Sequence, residues 1–348
     1  MTDFVTDDRH DFGTGLLKAS VRRHGAELIA LRSGSEDLLW NAGPAWPKHS
    51  PILFPIIGKL PDDRATLNGQ PVHLRQHGLA RDRVFRWIAR TAEGCTLELV
   101  DDAESRALFP AAFRLRVVYL IENATLRVSY HLHNPDSSQT LHASLGAHPA
   151  FRWPLKDGVA KESYRLVFEY DEPLPVRRIG ADGLMLPEKF HTPVRDNILP
   201  LTDALFAKDA LILEKPESRS VDMVDPDGHG IRFVWGGFRE LGLWTKPGAE
   251  FLCIEPWYGY ATPAGFADDF SCKPGLLHLN PGESGPAVWS GRAISKTPGA
   301  LLSRARGSRL RPEWRPAGGR PSARGPSVRA GHAIPALRPH PSGRDAAA

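Results

Sequence analysis

The sequence predicts an all-β protein, built as a large sandwich or barrel of antiparallel sheets. Apolar and polar residues alternate along 113–121 and again along 125–133, with a short turn between them, which is typical of a β-hairpin with one face in water. Clusters of turn-forming residues interrupt the chain at short intervals, as at 225–228. Helical patterns are short and confined to 102–109 and 203–208, so nothing indicates the strand–helix alternation of a parallel sheet.

Further strands are predicted along the body of the chain. Shorter alternating runs lie at 95–100, 163–170 and 230–235. The run 251–254 is continuously apolar, which predicts a strand buried on both faces. We expect this strand to end at Glu255, because Pro256 has no N–H with which to continue a ladder.

Charge and composition divide the chain near residue 295. Residues 296–348 contain 11 Lys and Arg against 2 Asp and Glu, together with eight Pro and seven Gly. Such a segment cannot bury enough apolar surface to offset its ordering entropy, so we predict one β-domain over 1–295 and a disordered basic tail over 296–348. The remainder has 33 basic against 38 acidic residues, which argues against a nucleic-acid surface on the folded domain.

Cysteine usage and hydropathy restrict the class further. Three cysteines, at 95, 253 and 272, are too few for a disulfide framework, and without a CxxC pair we predict no metal site. Residues 1–13 are polar and acidic rather than a signal peptide, and no run of about 18 apolar residues occurs. The expectation is a cytoplasmic protein with no membrane partner, whose oligomeric state stays open.

Glu255 is the first candidate catalytic residue. It follows a buried strand and precedes Trp257 and Tyr258, so its carboxyl group should be partly desolvated. Desolvation raises the pKa of a carboxyl group and makes the carboxylate a better base. The alternative is a structural carboxylate that pairs with an arginine at the end of the strand.

Two histidines lie in loops of unusual composition. His148 stands between Gly146 and Pro149, with Phe151 and Trp153 expected as apolar walls. His77 precedes a glycine, with Arg81 close behind. An imidazole is neutral or charged near pH 7 at little cost, so His148 is expected to donate and recover a proton. The alternative for either ring is an ordinary solvated or hydrogen-bonded histidine.

These segments together resemble the aldose 1-epimerase family, in particular its LacX-like branch. The matching segments occur in family order between residues 15 and 290, and they are PILFPIIGKL, QHGLARDRVF, LGAHPAF, WTKPGAEFLCIEPWYG and KPGLLHLNPGES. The resemblance implies a galactose-mutarotase-like β-supersandwich of antiparallel sheets. It also implies interconversion of sugar anomers without a cofactor.

The resemblance assigns roles to individual residues. Glu255 corresponds to the catalytic base and His148 to the catalytic acid, while His77 is expected to bind the sugar at its ring oxygen. Lys59 stands where the family often has a hydroxyl-binding arginine, and lysine cannot form a bidentate fork. Arg81 and Trp257 are expected at the sugar as well. An aspartate that holds hydroxyls in many relatives has only Asp203 and Asp209 as candidates here, and neither is assigned.

Mutarotation needs only these groups. A base removes the proton of the C1 hydroxyl, an acid protonates the ring oxygen, and closure on the other face reverses both transfers. We therefore predict an aldose 1-epimerase acting on a small-molecule aldohexose, with no cofactor. Glucose-6-phosphate 1-epimerase activity and a non-catalytic carbohydrate-binding protein remain alternatives. A glycoside hydrolase is a further one, although it usually needs two facing carboxylates.

Overall fold

The computed structural model describes residues 8–295, and over these its regular secondary structure is mostly β-strand, as predicted. The one α-helix of this part is Ala103–Leu108, within the predicted region 102–109. Short 3-10 helices lie at Pro61–Asp63, Ala80–Asp82, Lys161–Ser163, Asp203–Phe206 and Phe270–Cys272. No helix in the described part has the length and apolar character that crossing a membrane requires.

The strands, in chain order, are β1 (Arg9–Thr14), β2 (Leu17–Arg22), β3 (Leu28–Ser33), β4 (Glu36–Asp37), β5 (Ile52–Leu53), β6 (Arg64–Leu67), β7 (Gln70–His73), β8 (Arg86–Arg90), β9 (Gly94–Val100), β10 (Arg114–Glu122), β11 (Thr125–His133), β12 (Leu141–Ala143), β13 (Leu145–Ala147), β14 (Ala150–Arg152), β15 (Arg165–Phe168), β16 (Ile198–Pro200), β17 (Leu211–Leu213), β18 (Ser220–Val224), β19 (Gly230–Gly236), β20 (Glu240–Trp244), β21 (Phe251–Tyr258), β22 (Leu277–Leu279) and β23 (Ser284–Ile294).

Two large antiparallel sheets dominate the architecture. The nine-stranded sheet runs β16-β15-β18-β19-β23-β11-β10-β9-β8, and the six-stranded sheet runs β17-β20-β21-β13-β5, with β14 also paired to β21. The predicted hairpin is β10–β11, which pairs from Arg114 opposite His133 to Glu122 opposite Thr125. Burial alternates along both of its strands, so one face enters the core and the other faces water.

One continuous core joins the sheets. Alternate residues of β10 and β11, from Leu115 to Leu132, are buried in it together with Leu252 and Ile254 of β21. The buried Tyr119 side chain has a hydrogen-bond partner in this core: its hydroxyl donates to the Ala26 carbonyl at 2.7 Å. Packing of this kind fixes the six-stranded sheet, and therefore fixes the strand that carries Glu255.

Strand β21 does not end at Glu255, as the sequence led us to expect, but continues through Pro256 to Tyr258. On one side it pairs with β20 without interruption, including Leu241 opposite Pro256. On the other side it pairs with β13 and then β14, and the pairing is broken between them. The Ile254 N–H points to that side, toward the Pro149 carbonyl. Since backbone direction alternates, the missing N–H of Pro256 falls at the break and costs no ladder bond.

His148 lies in this break between β13 and β14. Its imidazole is therefore placed opposite Glu255 of the neighbouring strand β21. The last described strand, β23, ends at Ile294. The basic tail predicted over 296–348 lies outside the described residues.

Candidate active site

A cavity of about 310 Å³ lies beside β21 and collects most of the predicted site. Its volume is at the lower end of the range for small-molecule sites. The structure brings five of the six predicted site residues to its wall, namely His77, Arg81, His148, Glu255 and Trp257.

Other depressions on the surface are wider but chemically different. One of them, of about 620 Å³, lies around Arg83 and Asp102. Its charged groups are paired with one another: Arg83 with Asp102 and Glu104, and Arg86 with Glu98. The cavity beside β21 instead holds buried polar atoms without partners, on Arg81, Glu255 and Trp257. Because unpaired buried polar groups are costly, a ligand that satisfies them is the natural occupant.

The Glu255 carboxyl group is placed by strand alternation. Cys253, Glu255 and Trp257 share one face of β21, while Leu252 and Ile254 enter the main core on the other. Glu255 is 2% exposed, and its Oε2 has no hydrogen-bond partner. Burial, with the nearby charge of Asp209, raises the pKa of Glu255 well above its usual value. The Trp257 indole N–H partly offsets this rise without forming an aligned hydrogen bond. The direction agrees with the sequence argument.

His148 is held between aromatic rings. It stacks on Trp46 at 4.9 Å between ring centroids and meets Trp244 and His77 edge-on at 5.9 and 5.6 Å. Its Nε2 lies 3.3 Å from Glu255 Oε2. Burial, with the positive charges of Arg81 and Lys48, lowers the pKa of His148 to about 3. In the empty site the imidazole is therefore neutral at pH 7, and charging it costs more than the sequence argument expected.

Glu255 and His148 thus form a buried pair whose pKa values are shifted in opposite directions, while Glu255 Oε2 makes no aligned hydrogen bond to the imidazole. With the pKa of the carboxyl raised and that of the imidazole lowered, a single proton on the pair resides on Glu255 in the empty site. Moving it across the 3.3 Å separation gives a carboxylate beside an imidazolium. That form is the base and acid which anomer exchange requires.

His77 is oriented by a reciprocal backbone contact with Gly58. The backbone N–H of His77 donates to the Gly58 carbonyl at 2.8 Å, and the backbone N–H of Gly58 donates to the ring nitrogen His77 Nδ1 at 3.1 Å. Because Nδ1 accepts, the ring hydrogen of the neutral imidazole is on Nε2, which is left as a donor. Burial lowers the pKa of His77 well below its usual value and keeps it neutral. The segments PILFPIIGKL and QHGLARDRVF lie side by side, because Phe54 of the first forms an isolated β-bridge with Gly78 of the second.

Arg81 and Trp257 complete the set of donors. Arg81 lies in the 3-10 helix Ala80–Asp82, and its buried Nε has no hydrogen-bond partner. The Trp257 ring occupies a slot left by two glycines: a Cβ at Gly242 would lie 2.4 Å from the ring, and one at Gly146 would lie 2.8 Å from it. Its Nε1 is also buried without a partner.

Three further residues named from the sequence lie in different places. Lys59 does not line the cavity. Its aliphatic chain packs against Gly183, where it occupies the space that a Cβ would need. Asp209, left unassigned, does line it, in a left-handed conformation (φ +62°), while Arg178 donates to its carbonyl at 2.9 Å. Asp203 instead pairs with Lys161 at 2.6 Å.

The aromatic walls also differ from expectation. Phe151 and Trp153 belong to the core, and the Trp153 indole donates to the Lys161 carbonyl. The cavity walls are Trp46 and Trp244, with Gln76 on its lining as well. Trp244 is the first residue of the segment WTKPGAEFLCIEPWYG, which belongs to the family resemblance. Trp46 and Gln76 were missed, and for Gln76 only its position beside His77 could have indicated the site.

Comparison with known proteins agrees with the fold described above. A sequence model of the aldose 1-epimerase family matches residues 9–284. The chromosomal LacX protein of Lactococcus lactis subsp. lactis is 31% identical over 279 residues, covering 76% of this chain and 92% of that protein.

Solved structures show the same architecture. The galactose mutarotase related enzyme of Lactobacillus acidophilus superposes with a TM-score of 0.75 at 30% identity, covering 84% of this chain and all of that one. A galactose mutarotase-like protein of Lactobacillus casei gives 0.76 at 28% identity, covering 82% of this chain and all of that one. The fold is therefore the all-β, galactose-mutarotase-like one. The chain belongs to the aldose 1-epimerase family.

Proposed function

We propose that this protein is an aldose 1-epimerase that interconverts the α and β anomers of an aldohexose. The observation that carries the proposal is the pair of Glu255 and His148. Their side chains are 2% and 8% exposed, and they lie 3.3 Å apart at the wall of a cavity of small-molecule size. Family membership supports an isomerase, and the pair supplies the acid and base that ring opening needs.

The reaction follows from one proton on this pair. As the C1 hydroxyl loses its proton to the Glu255 carboxylate, protonated His148 delivers its proton to the ring oxygen and the C1–O bond opens. The C1–C2 bond rotates, and the reverse transfers close the ring on the other face of the carbonyl. Each group contributes roughly 10²–10⁴-fold, and the orientation of a bound sugar adds to this.

Polar groups around the pair provide the proposed binding contacts. His77 Nε2–H, Arg81 and the Trp257 indole N–H are donors for the ring oxygen and hydroxyls, and Asp209 is an acceptor. Trp46 and Trp244 offer apolar rings to the C–H faces of the sugar. A hydrogen bond to Arg81 Nε or Trp257 Nε1 would satisfy a polar atom that is otherwise buried without a hydrogen-bond partner.

The charge balance of the cavity favours a neutral aldohexose over a sugar phosphate. Among the described residues on its wall, Arg81 is the single cationic side chain, and it shares the wall with the acidic Asp209 and Glu255. A phosphate dianion is usually met by several donors or an arginine fork. Glucose 6-phosphate is the second candidate, supported by Lys48, whose charge reaches both His77 and His148.

An anomer-exchange experiment tests the proposal. Magnetisation transfer between anomers is measured by NMR for glucose, galactose and glucose 6-phosphate, with the parent and the Glu255→Gln variant. Glu172→Gln is the matched control, because Glu172 is also 2% exposed but accepts backbone N–H groups outside the cavity. We expect the parent and the control to accelerate exchange and Glu255→Gln to lose most of the acceleration.

Three outcomes would change the proposal. Exchange of glucose 6-phosphate at least about ten times more efficient than that of both neutral sugars, a transition-state preference of about 1.4 kcal/mol, would move the assignment to the phosphorylated substrate. Sugar binding without acceleration would make the protein a carbohydrate-binding module. Release of nitrophenol from nitrophenyl glycosides would make it a glycosidase, with Asp209 as the second carboxylate.

A further inference from the structure

Cys253 is a buried thiol that the epimerase chemistry does not use. It precedes Glu255 by two residues on β21, so both side chains point to the same face of the strand. It is fully buried and packs beside Phe251 and Ala150, under the aromatic wall formed by Trp46 and Trp244. One donor atom from each of His148, Cys253 and Glu255 lies within 4.8 Å of the other two.

The separation of the histidine nitrogen and the carboxylate oxygen matches that in a metal site. A tetrahedral zinc ion binds histidine nitrogen and carboxylate oxygen at about 2.0–2.2 Å, which places two such atoms about 3.4 Å apart. His148 Nε2 and Glu255 Oε2 are 3.3 Å apart. Glu255 Oε2 is also buried without a hydrogen-bond partner, so it is free to bind. The imidazole is fixed by stacking on Trp46 and the other two ligands by strand pairing, so little reorganisation is needed.

The donor set selects the kind of cation. One nitrogen, one sulfur and one oxygen suit Zn²⁺ and the softer Cd²⁺, whereas Mg²⁺ and Ca²⁺ prefer oxygen ligands throughout. A fourth position lies toward the cavity, since Glu255 and His148 both line it. Water or a sugar hydroxyl can take that position, as in zinc sites with three protein ligands.

We propose that His148, Cys253 and Glu255 bind a thiophilic divalent cation, Zn²⁺ in particular, and that this occupation inhibits the protein. On binding, the Cys253 thiol and the Glu255 carboxyl group each release one proton to solvent, and the neutral His148 nitrogen donates its lone pair. The ion then holds the carboxylate and the imidazole that would exchange protons with the sugar. Inhibition therefore rests on the proposed function, whereas binding does not.

The test measures binding and activity separately on the full chain. Zn²⁺ binding is followed by calorimetry without sugar, and Cd²⁺ binding by the ultraviolet charge-transfer band of a cadmium–thiolate bond. The parent is compared with Cys253→Ala and Cys253→Ser. Cys272→Ala and Cys95→Ala are controls, the first removing an exposed thiol and the second a buried thiol outside the cluster. Anomer exchange is then measured with added Zn²⁺ and after a chelator.

We expect one ion per chain and a charge-transfer band that both controls keep. Each Cys253 variant should lose the band and weaken Zn²⁺ binding at least about 10–100-fold, the loss that even an outer-shell partner of a metal ligand causes. The Cys253 variants should also retain exchange activity and resist Zn²⁺. Binding indifferent to Cys253, or abolished by Cys272→Ala, would overturn the site. Binding as expected in a chain with no epimerase activity would leave the site standing and refute the proposed function instead.

Discussion

His148 Nε2 lies 3.3 Å from Glu255 Oε2, and burial shifts the pKa values of these two groups in opposite directions. The pair holds one proton over a wide pH range, with the proton on the carboxyl group of the empty site. The single-proton state is the one that the proposed anomer exchange would use, because it contains one acid and one base.

The pH dependence of kcat/KM should follow this state. As the pH falls through about 3, the pKa of His148, the pair gains a second proton and no base remains. As the pH rises through the raised pKa of Glu255, the pair loses its only proton and no acid remains. We therefore expect a broad bell, measured by NMR exchange across pH. Circular dichroism at each pH controls for unfolding, and an acid limb at the ordinary carboxyl value of about 4.5 would contradict the shared-proton arrangement.

Removing either partner should stop the reaction. Glu255→Gln and His148→Asn should each lower turnover by at least about 10²-fold, because each deletes one proton-transfer group. The double variant should lose little more than either single variant, since an intact base gains little when the acid is missing. For all three variants, turnover is measured from the rate of anomer exchange, and the melting temperature shows whether the fold is intact. Additive losses would show that the groups act independently.

His77 should affect binding as well as turnover. His77→Ala removes the Nε2–H donor that the Gly58 contact orients, so KM should rise along with a fall in kcat. His77→Gln keeps a donor and is expected to recover part of the binding. Kinetic constants for both variants, read beside those of Glu255→Gln, separate a binding role from proton transfer. A fall in kcat at unchanged KM would place His77 in the proton transfer itself.

Most of the fold could be predicted from the sequence, because strands such as those of the β10–β11 hairpin have one face in water. Residues 114–122 and 125–133 alternate in burial, and alternation is visible in the residues themselves. Strand β21 was harder, because its extension past Pro256 depends on the break between β13 and β14 in another part of the chain. No local pattern records which partner residue a missing N–H will face.

The site was predictable to the extent that chemistry marks a residue. His77, His148 and Glu255 stand in motifs where glycine, proline and aromatic residues accompany a titratable group, and they meet in the cavity. A tryptophan has the same sequence signature whether it is core or wall, so Trp153 was expected at the wall in place of Trp46. The cluster of His148, Cys253 and Glu255 could not be predicted either, because the spacing of these residues along the chain matches no zinc-binding motif.

Removal of residues 296–348 should leave activity and stability unchanged. The family match ends at residue 284 and the last described strand at Ile294, so the cavity and both large sheets precede the cut. The removed segment is rich in Pro, Gly and Arg and poor in the apolar residues that build a core. Melting temperature and anomer exchange of the two lengths provide the comparison. A shortened chain that fails to fold would show that the domain extends beyond residue 295.

The slot beneath Trp257 should tolerate no added methyl group at Gly242. A Cβ there would lie 2.4 Å from the indole ring, and that ring is confined between β20 and the cavity, so it must shift or the strands must part. Overpacking of this kind costs roughly 1–3 kcal/mol, so Gly242→Ala should lower the free energy of unfolding by that amount. Displacement of the ring should also raise KM, because Trp257 lines the cavity and its indole N–H is one of the proposed donors to the sugar.

Gly236→Ala is the matched control for that change. Gly236 also lies in a strand, but its Cβ would meet only Val288 at an ordinary 3.6 Å. Its effect should stay within about 1 kcal/mol, the difference between glycine and alanine in a strand. Urea unfolding and KM from anomer exchange measure both variants. Equal losses in the two would mean that strand glycines matter for their backbone alone; a loss confined to Gly242→Ala, in stability and KM together, would tie sugar binding to the packing of the Trp257 ring.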